Sequence, residues 1–199
     1  MKKIGICHNK GGVGKTTFCF CLGGAFAEMD KKVLMVDMEQ RGSLSSPFAK
    51  NINDIPCVIT DVLPNDRGPM KTVVHKTDFE NIDPVPANLT LGRLENDLIS
   101  ERDSHYCLAD KFTEIEGQYD VILLDAPSNL GLATRSVLTV SEGVIIPLEA
   151  QDYSVKRTGY LDTVIQKVRK RGNPSLTVLG YVTNRATTGG DRSSRISSR

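Results

Sequence analysis

Apolar residues recur along this chain in short unbroken blocks, and between the blocks they return at helical spacing. Lys3 to His8 reads as a strand, and Lys15 to Met29 as a helix opening directly behind a glycine-rich turn. The run Lys32 to Met38 (KVLMVDM) is too continuously apolar for an edge, which marks a buried strand. From Glu39 to Asn81 the pattern breaks up around Pro47, Pro56, Pro64 and Pro69, and short helices and loops are expected, one near Val58 to Leu63. A short strand at Ile82 to Pro86 precedes two helices, Leu91 to Ile99 and His105 to Ile115.

The second half is more regular. Tyr119 to Ala126 (YDVILLDA) reads as a buried strand, Leu130 to Val140 as a helix and Gly143 to Leu148 as a strand. Ser154 to Arg171 reads as a helix, in which Leu161, Val164, Ile165 and Val168 form one apolar stripe, and Ser175 to Thr183 as the last strand. Strands separated by helices of this length imply βαβ units. The expected fold is therefore α/β, a mostly parallel sheet with helices on both faces. Residues 1–185 form its one domain, and residues 186–199 read as a Gly/Ser/Arg-rich flexible tail.

Composition narrows the function classes. With 199 residues, 39% hydrophobic and a net charge of +1, the chain has enough apolar content for one packed core, and wholesale disorder is excluded. The longest apolar run, Phe18 to Ala27, is half the length of about 20 residues that a spanning helix needs. The chain enters a strand-like run at once, so no signal peptide is expected. Five scattered cysteines suit a reducing cytosol better than a disulfide framework. The charge is unevenly spread: residues 151–199 hold ten Lys or Arg against three Asp, while residues 1–150 are net acidic. A one-sided basic region suits a polyanionic partner or a solvated face.

The chemistry is concentrated between the first strand and first helix, in Lys10, Gly11, Gly12, Val13, Gly14, Lys15, Thr16 and Thr17. Glycines let backbone N–H groups approach phosphates, and the helix N-terminus adds its positive dipole end. Lys15 can then reach β- and γ-phosphates and Thr16 can hold Mg²⁺. The G-x-x-x-x-G-K-T pattern would place Gly at position 9, but the chain has Asn9 followed by a second loop lysine, Lys10. Asp37 ends the second strand, where an open parallel sheet presents side chains to its ligand crevice. Asp125 follows four apolar residues, Val121 to Leu124, where a carboxylate can hold Mg²⁺ beside Thr16.

KGGVGKTT, with its extra lysine, resembles the deviant Walker A ATPases of the ParA/MinD class within the P-loop NTPases, and in detail the ParA/Soj partition ATPases. VLMVDMEQRGSLS is similar to the family stretch VLLIDLDPQGNAT, and YDVILLDAPSNLGLAT to YDYVLIDCPPSLGLLT. GVIIPLEAQDYSVKRTGYL and NPSLTVLGYVTNR resemble the strand–helix–strand that follows. The resemblance implies ATP and Mg²⁺ as ligands and catalytic roles for Lys10, Lys15 and Asp37, with Asp37 positioning the attacking water. Lys10 is expected to reach across an ATP-dependent sandwich dimer, and Asn184 to contact adenine. It also implies nonspecific binding of double-stranded DNA, a ParB-like stimulating partner and a cytoplasmic, nucleoid-associated protein. Lys156, Arg157, Lys167, Lys170 and Arg171 are the candidate DNA contacts.

Two departures stand out. The family's D-x-D-P-Q-G-N becomes Asp37, Met38, Glu39, Gln40, Arg41, Gly42 and Ser43, changing the acid, Pro, Gln and Asn positions. Chains of the family also continue past this point with further helix and strand, so a shortened C-terminal end is expected. A MinD-like membrane-surface role needs a C-terminal amphipathic helix, and residues 187–199 are almost devoid of apolar side chains. A metabolic ATP-dependent ligase on the same fold is the other alternative, against which Lys10 speaks. Cys19 and Cys21 point about 200° apart on a helix and cannot share one ion. No Cys follows Asp125 as an iron–sulfur ligand would, and His8, His75 and His105 have no ligand spacing.

Overall fold

A computed structural model describes residues 1–49, 51–63, 67–98, 104–149 and 159–184. Six strands, β1 (Lys2–Ile6), β2 (Val33–Asp37), β3 (Ile82–Val85), β4 (Val121–Asp125), β5 (Gly143–Glu149) and β6 (Thr177–Asn184), form one sheet in the order β3-β2-β4-β1-β5-β6. Every pairing is parallel. The helices are α1 (Lys15–Glu28), α2 (Thr90–Leu98), α3 (Cys107–Thr113), α4 (Leu132–Val140) and α5 (Gly159–Arg171). Among its described residues, the proline-broken stretch between β2 and β3 forms four single 3₁₀ turns: Ser46–Phe48, Ile52–Asp54, Ile59–Asp61 and Met70–Val73.

Strand alternation sorts the core into two layers. On β2, Val33 and Met35 pack toward α1, together with Leu123 and Val121 of β4. Leu34, Val36, Ile122 and Leu124 face the opposite layer, where residues of α2 to α5 cover them. Both central strands are fully buried, which is why their sequences run apolar without alternation. Among the described residues the layers are unequal, with one α-helix on one face and four on the other. Buried Asn173 joins the ends of α4 and α5 by donating to the carbonyls of Leu138 (3.0 Å) and Ser141 (2.6 Å).

The observed bounds agree with the sequence expectation to within a few residues. β1 stops two residues early, at Ile6, because His8 already belongs to the loop and its Nδ1 accepts the Lys10 N–H (2.9 Å). The expected helix starts within residues 154–158, which lie outside the described residues, as do Lys156, Arg157 and the tail 186–199. Among the described residues no helix is long and apolar enough to cross a membrane.

Leu123 is fully buried at the centre of the α1-side layer. Leu123→Ala is expected to destabilise the fold by about 3 kcal/mol through lost burial and the cavity left behind. Urea unfolding checks this; a loss below about 1 kcal/mol would mean the α1 layer closes over the gap.

Candidate functional site

Register brings the site together. β4 lies between β1 and β2, and Asp125 is paired in one row with Ile6 on one side and Asp37 on the other. Both acids therefore sit at the C-terminal edge of the sheet, beside the loop that leaves β1. The connections from β1 and β4 depart toward opposite edges of the sheet, the kind of switch point that opens a crevice in parallel α/β folds.

The loop between Ile6 and α1 has the form of a phosphate cradle. Gly14 caps α1 in the left-handed region (φ 92°), where a side chain would be strained and would also meet the Asn184 amide. Asn184, at the end of the edge strand β6, donates to the Val13 carbonyl (3.0 Å) and so ties the loop to the far side of the sheet. Lys15 is buried; its Nζ donates to Ser128 Oγ (3.0 Å) and to the Lys10 carbonyl (3.4 Å). Burial lowers its pKa, against the raising influence of Asp125 and Glu39. A buried ammonium held only by neutral oxygens, at the head of a helix, is well placed to receive an anion. Gly11, Gly12, Gly14, Lys15, Thr16 and Thr17 line a cavity of about 440 Å³, with Glu39, Arg41, Ser43, Ala126 and Ser128 forming its other wall.

The two acids differ in their surroundings. Thr16 Oγ1 donates to Asp125 Oδ2 (2.6 Å), while Asp125 Oδ1 is buried with no hydrogen-bond partner. Burial pushes the Asp125 carboxyl up to about 7, opposed by the Thr16 hydrogen bond and helped by the neighbouring Asp37 charge. A hydroxyl and a carboxylate converging beside a phosphate cradle, with one carboxylate oxygen unsatisfied, fit a divalent cation. Asp37 is instead well satisfied. Its Oδ2 accepts from the Ser45 N–H (2.9 Å) and hydroxyl (2.7 Å), and its Oδ1 accepts from the Glu39 N–H (2.9 Å). Burial still raises it to about 6 despite these bonds.

The second loop lysine is engaged by a carboxylate at the end of a neighbouring strand. Lys10 Nζ forms an ion pair with Glu149, the last residue of β5. Lys167, Lys170 and Arg171 lie far from the phosphate cradle, because α5 returns to the N-terminal edge of the sheet before β6 begins. There they are joined by Arg135 of α4 and by His105 around a cavity of about 550 Å³. Sequence reasoning missed Ser45, Ser128, Glu149 and Arg135. Only Ser128 carried a signal, through its place three residues after Asp125. Among the described residues no group of three or more His, Cys, Asp or Glu is arranged to hold a metal.

A parallel sheet with a Gly-Lys-Thr cradle behind its first strand and acids ending the two neighbouring strands defines a P-loop NTPase-like protein. The family model described as an AAA domain matches residues 1–178, and the chain belongs to this family, as a member of its ParA/Soj partition type. It is 32% identical over 181 residues to the sporulation initiation inhibitor protein Soj of Bacillus subtilis, covering 91% of this chain and 71% of that protein. It is 32% identical over 179 residues to the chromosome partitioning protein ParA of Myxococcus xanthus, covering 90% of this chain and 63% of the relative. The chain thus spans 58 to 63% of the length of several curated relatives it matches. Among solved structures, cobyrinic acid a,c-diamide synthase from Mycobacterium smegmatis with bound ADP and magnesium superposes with a TM-score of 0.86 at 29% identity. That match covers 92% of this chain and 74% of the other.

The buried acids give a pH test. Both folded-state pKa values lie above the unfolded carboxylate value, so each acid supports the fold at low pH. That support is withdrawn as pH rises through about 6 for Asp37 and about 7 for Asp125. Asp125→Asn cannot ionise and is expected to gain about 2 kcal/mol of stability relative to the native chain between pH 5 and pH 8, without nucleotide. Urea titrations at the two pH values measure the difference. An unchanged gap would show that Asp125 ionises at no cost.

Proposed function

We propose that this protein is a ParA-like ATPase for DNA partition or cargo positioning, using ATP and Mg²⁺. The observation that carries the reading is the buried Lys15 beside the Thr16–Asp125 pair, in a chain of the ParA/Soj type. Loop N–H groups from Gly11 to Thr17 and the Lys15 ammonium hold the phosphates. Thr16 and the free Asp125 oxygen hold Mg²⁺, which supplies charge neutralisation at the transferred phosphoryl group. Asp37, ionised above pH 6 and fixed by Ser45 and Glu39, orients the attacking water. Asn184 flanks the adenine side of the loop.

Intrinsic turnover is weak and is raised by a ParB-like partner. ATP draws two copies into a sandwich homodimer in which Lys10 exchanges Glu149 for the other subunit's phosphates. The dimer binds double-stranded DNA without sequence preference and lets go on hydrolysis. Lys156, Arg157, Lys167, Lys170 and Arg171 are the proposed contacts, with Arg135 added by its position beside the last three. The protein works in the cytoplasm, associated with the nucleoid when ATP-bound. The likeness to a cobyrinic acid a,c-diamide synthase favours one second reading, an ATP-dependent ligase acting on a small molecule. ATP turnover that requires an added carboxylic acid and amine donor would identify it.

Co-sedimentation with nonspecific duplex DNA at low salt, with ATP–Mg²⁺ or ADP–Mg²⁺, tests the partition reading. Binding is expected with ATP only, to be lost in Lys10→Ala, and to show a shallower salt dependence in a Lys167→Ala, Lys170→Ala, Arg171→Ala variant. Equal binding in both nucleotide states would reduce the basic region to a charge effect.

A further inference from the structure

The turn after β2 combines a fixed backbone with an uncommitted cation. Asp37 grips the turn through the Glu39 N–H and, beyond it, through both donors of Ser45. The Ser45 hydroxyl in turn accepts the Ala87 N–H (3.0 Å), which fastens the turn to the segment leaving β3. Between these anchors the Gly42 N–H donates to the Glu39 carbonyl (2.9 Å). Gly42 sits in the left-handed region (φ 62°), and a Cβ there would meet the Ala87 carbonyl oxygen at 2.7 Å. Arg41 rides on this pinned turn.

Arg41 lines the same cavity as Gly11, Lys15, Thr16 and Ser128. Among the described residues its guanidinium has no ion pair or hydrogen bond, not even with Glu39 on the same wall. The other cations of the region are engaged: Lys15 with Ser128 and the Lys10 carbonyl, and Lys10 with Glu149. An exposed arginine with no ion pair or hydrogen bond, carried on a pinned turn at the wall of the proposed phosphate cavity, is suited to charge that appears only during reaction.

We infer that Arg41 is a catalytic residue acting in cis, its guanidinium contacting the phosphoryl group as that group is transferred. The inference rests on the ATPase reading above. In the step, the water oxygen forms a bond to the γ-phosphorus and the bond to the β,γ-bridging oxygen breaks. The bonding pair leaves on ADP, and the water proton passes to the released phosphate. Charge spreads over the equatorial oxygens, where a two-pronged N–H donor gains strength it does not have toward ADP. Arg41 thereby sets the basal rate on which any partner's stimulation is added.

Two readouts test this on the full chain with Arg41→Ala, Arg41→Gln and Arg41→Lys. One is the affinity for ADP–Mg²⁺ with and without aluminium fluoride, which mimics the phosphoryl group in transit; the other is single-turnover ATP hydrolysis. Arg41→Ala and Arg41→Gln are expected to keep ADP–Mg²⁺ affinity within about threefold while weakening the aluminium fluoride complex and slowing hydrolysis by about 100-fold, with Arg41→Lys intermediate. Unchanged fluoride-complex affinity in Arg41→Ala would overturn the assignment. So would an equal loss of ADP and fluoride-complex affinity, which marks a ground-state anion contact. A native chain that binds ADP–Mg²⁺ yet neither hydrolyses ATP nor tightens with aluminium fluoride would overturn the ATPase reading along with this one. A native chain that hydrolyses ATP at the same rate as Arg41→Ala would overturn this one alone.

Discussion

The hydrogen bond from Thr16 to Asp125 joins the first turn of α1 to the centre of the sheet, and the rest of the site is arranged around it. Asp125 is fully buried between β1 and β2, so its charge has no solvent to turn to. One oxygen takes the Thr16 hydroxyl and the other has no hydrogen-bond partner. A buried carboxylate left in this condition costs stability unless a cation arrives, and it sits where a phosphate-bound cation would arrive. The strain and the proposed function thus have the same physical origin.

Around that centre each charged group is held by a different kind of restraint. Lys15 is buried under the loop and touches only neutral oxygens, which leaves its charge available. Lys10 is engaged by Glu149 from the neighbouring strand end. Asp37 spends its hydrogen-bonding capacity on shaping the turn after β2, so the group proposed to orient water also fixes the frame that carries Arg41. The basic cavity at the opposite edge shares no residue with this network, so the proposed polyanion contacts and the proposed phosphate chemistry lie at different edges of one small sheet.

Much of this was legible in the sequence, because it is written locally. Buried parallel strands must be apolar throughout, so KVLMVDM and YDVILLDA announced themselves, and an acid ending such a block has to face the crevice. The Gly-Lys-Thr loop is contiguous and needs no tertiary information. Ser45, Glu149 and Arg135 could not be found in this way. Ser45 reaches Asp37 over eight positions through an irregular turn, Glu149 reaches Lys10 from a strand 139 residues away, and Arg135 lines one cavity with Lys167 only because α4 and α5 pack on the same face.

The sequence by itself determined the alternation of strands and helices, the phosphate loop, the two strand-end acids and the kinship with ParA-type chains. These depend on periodicity and on contiguous residues, where each position constrains its near neighbours. Only the tertiary structure decided the strand order that sets Asp125 between Ile6 and Asp37, the unequal division of the described helices between the faces, and the side chains that hold each charge. Those choices follow from which apolar faces bury each other, and that is settled by packing between segments far apart in the chain.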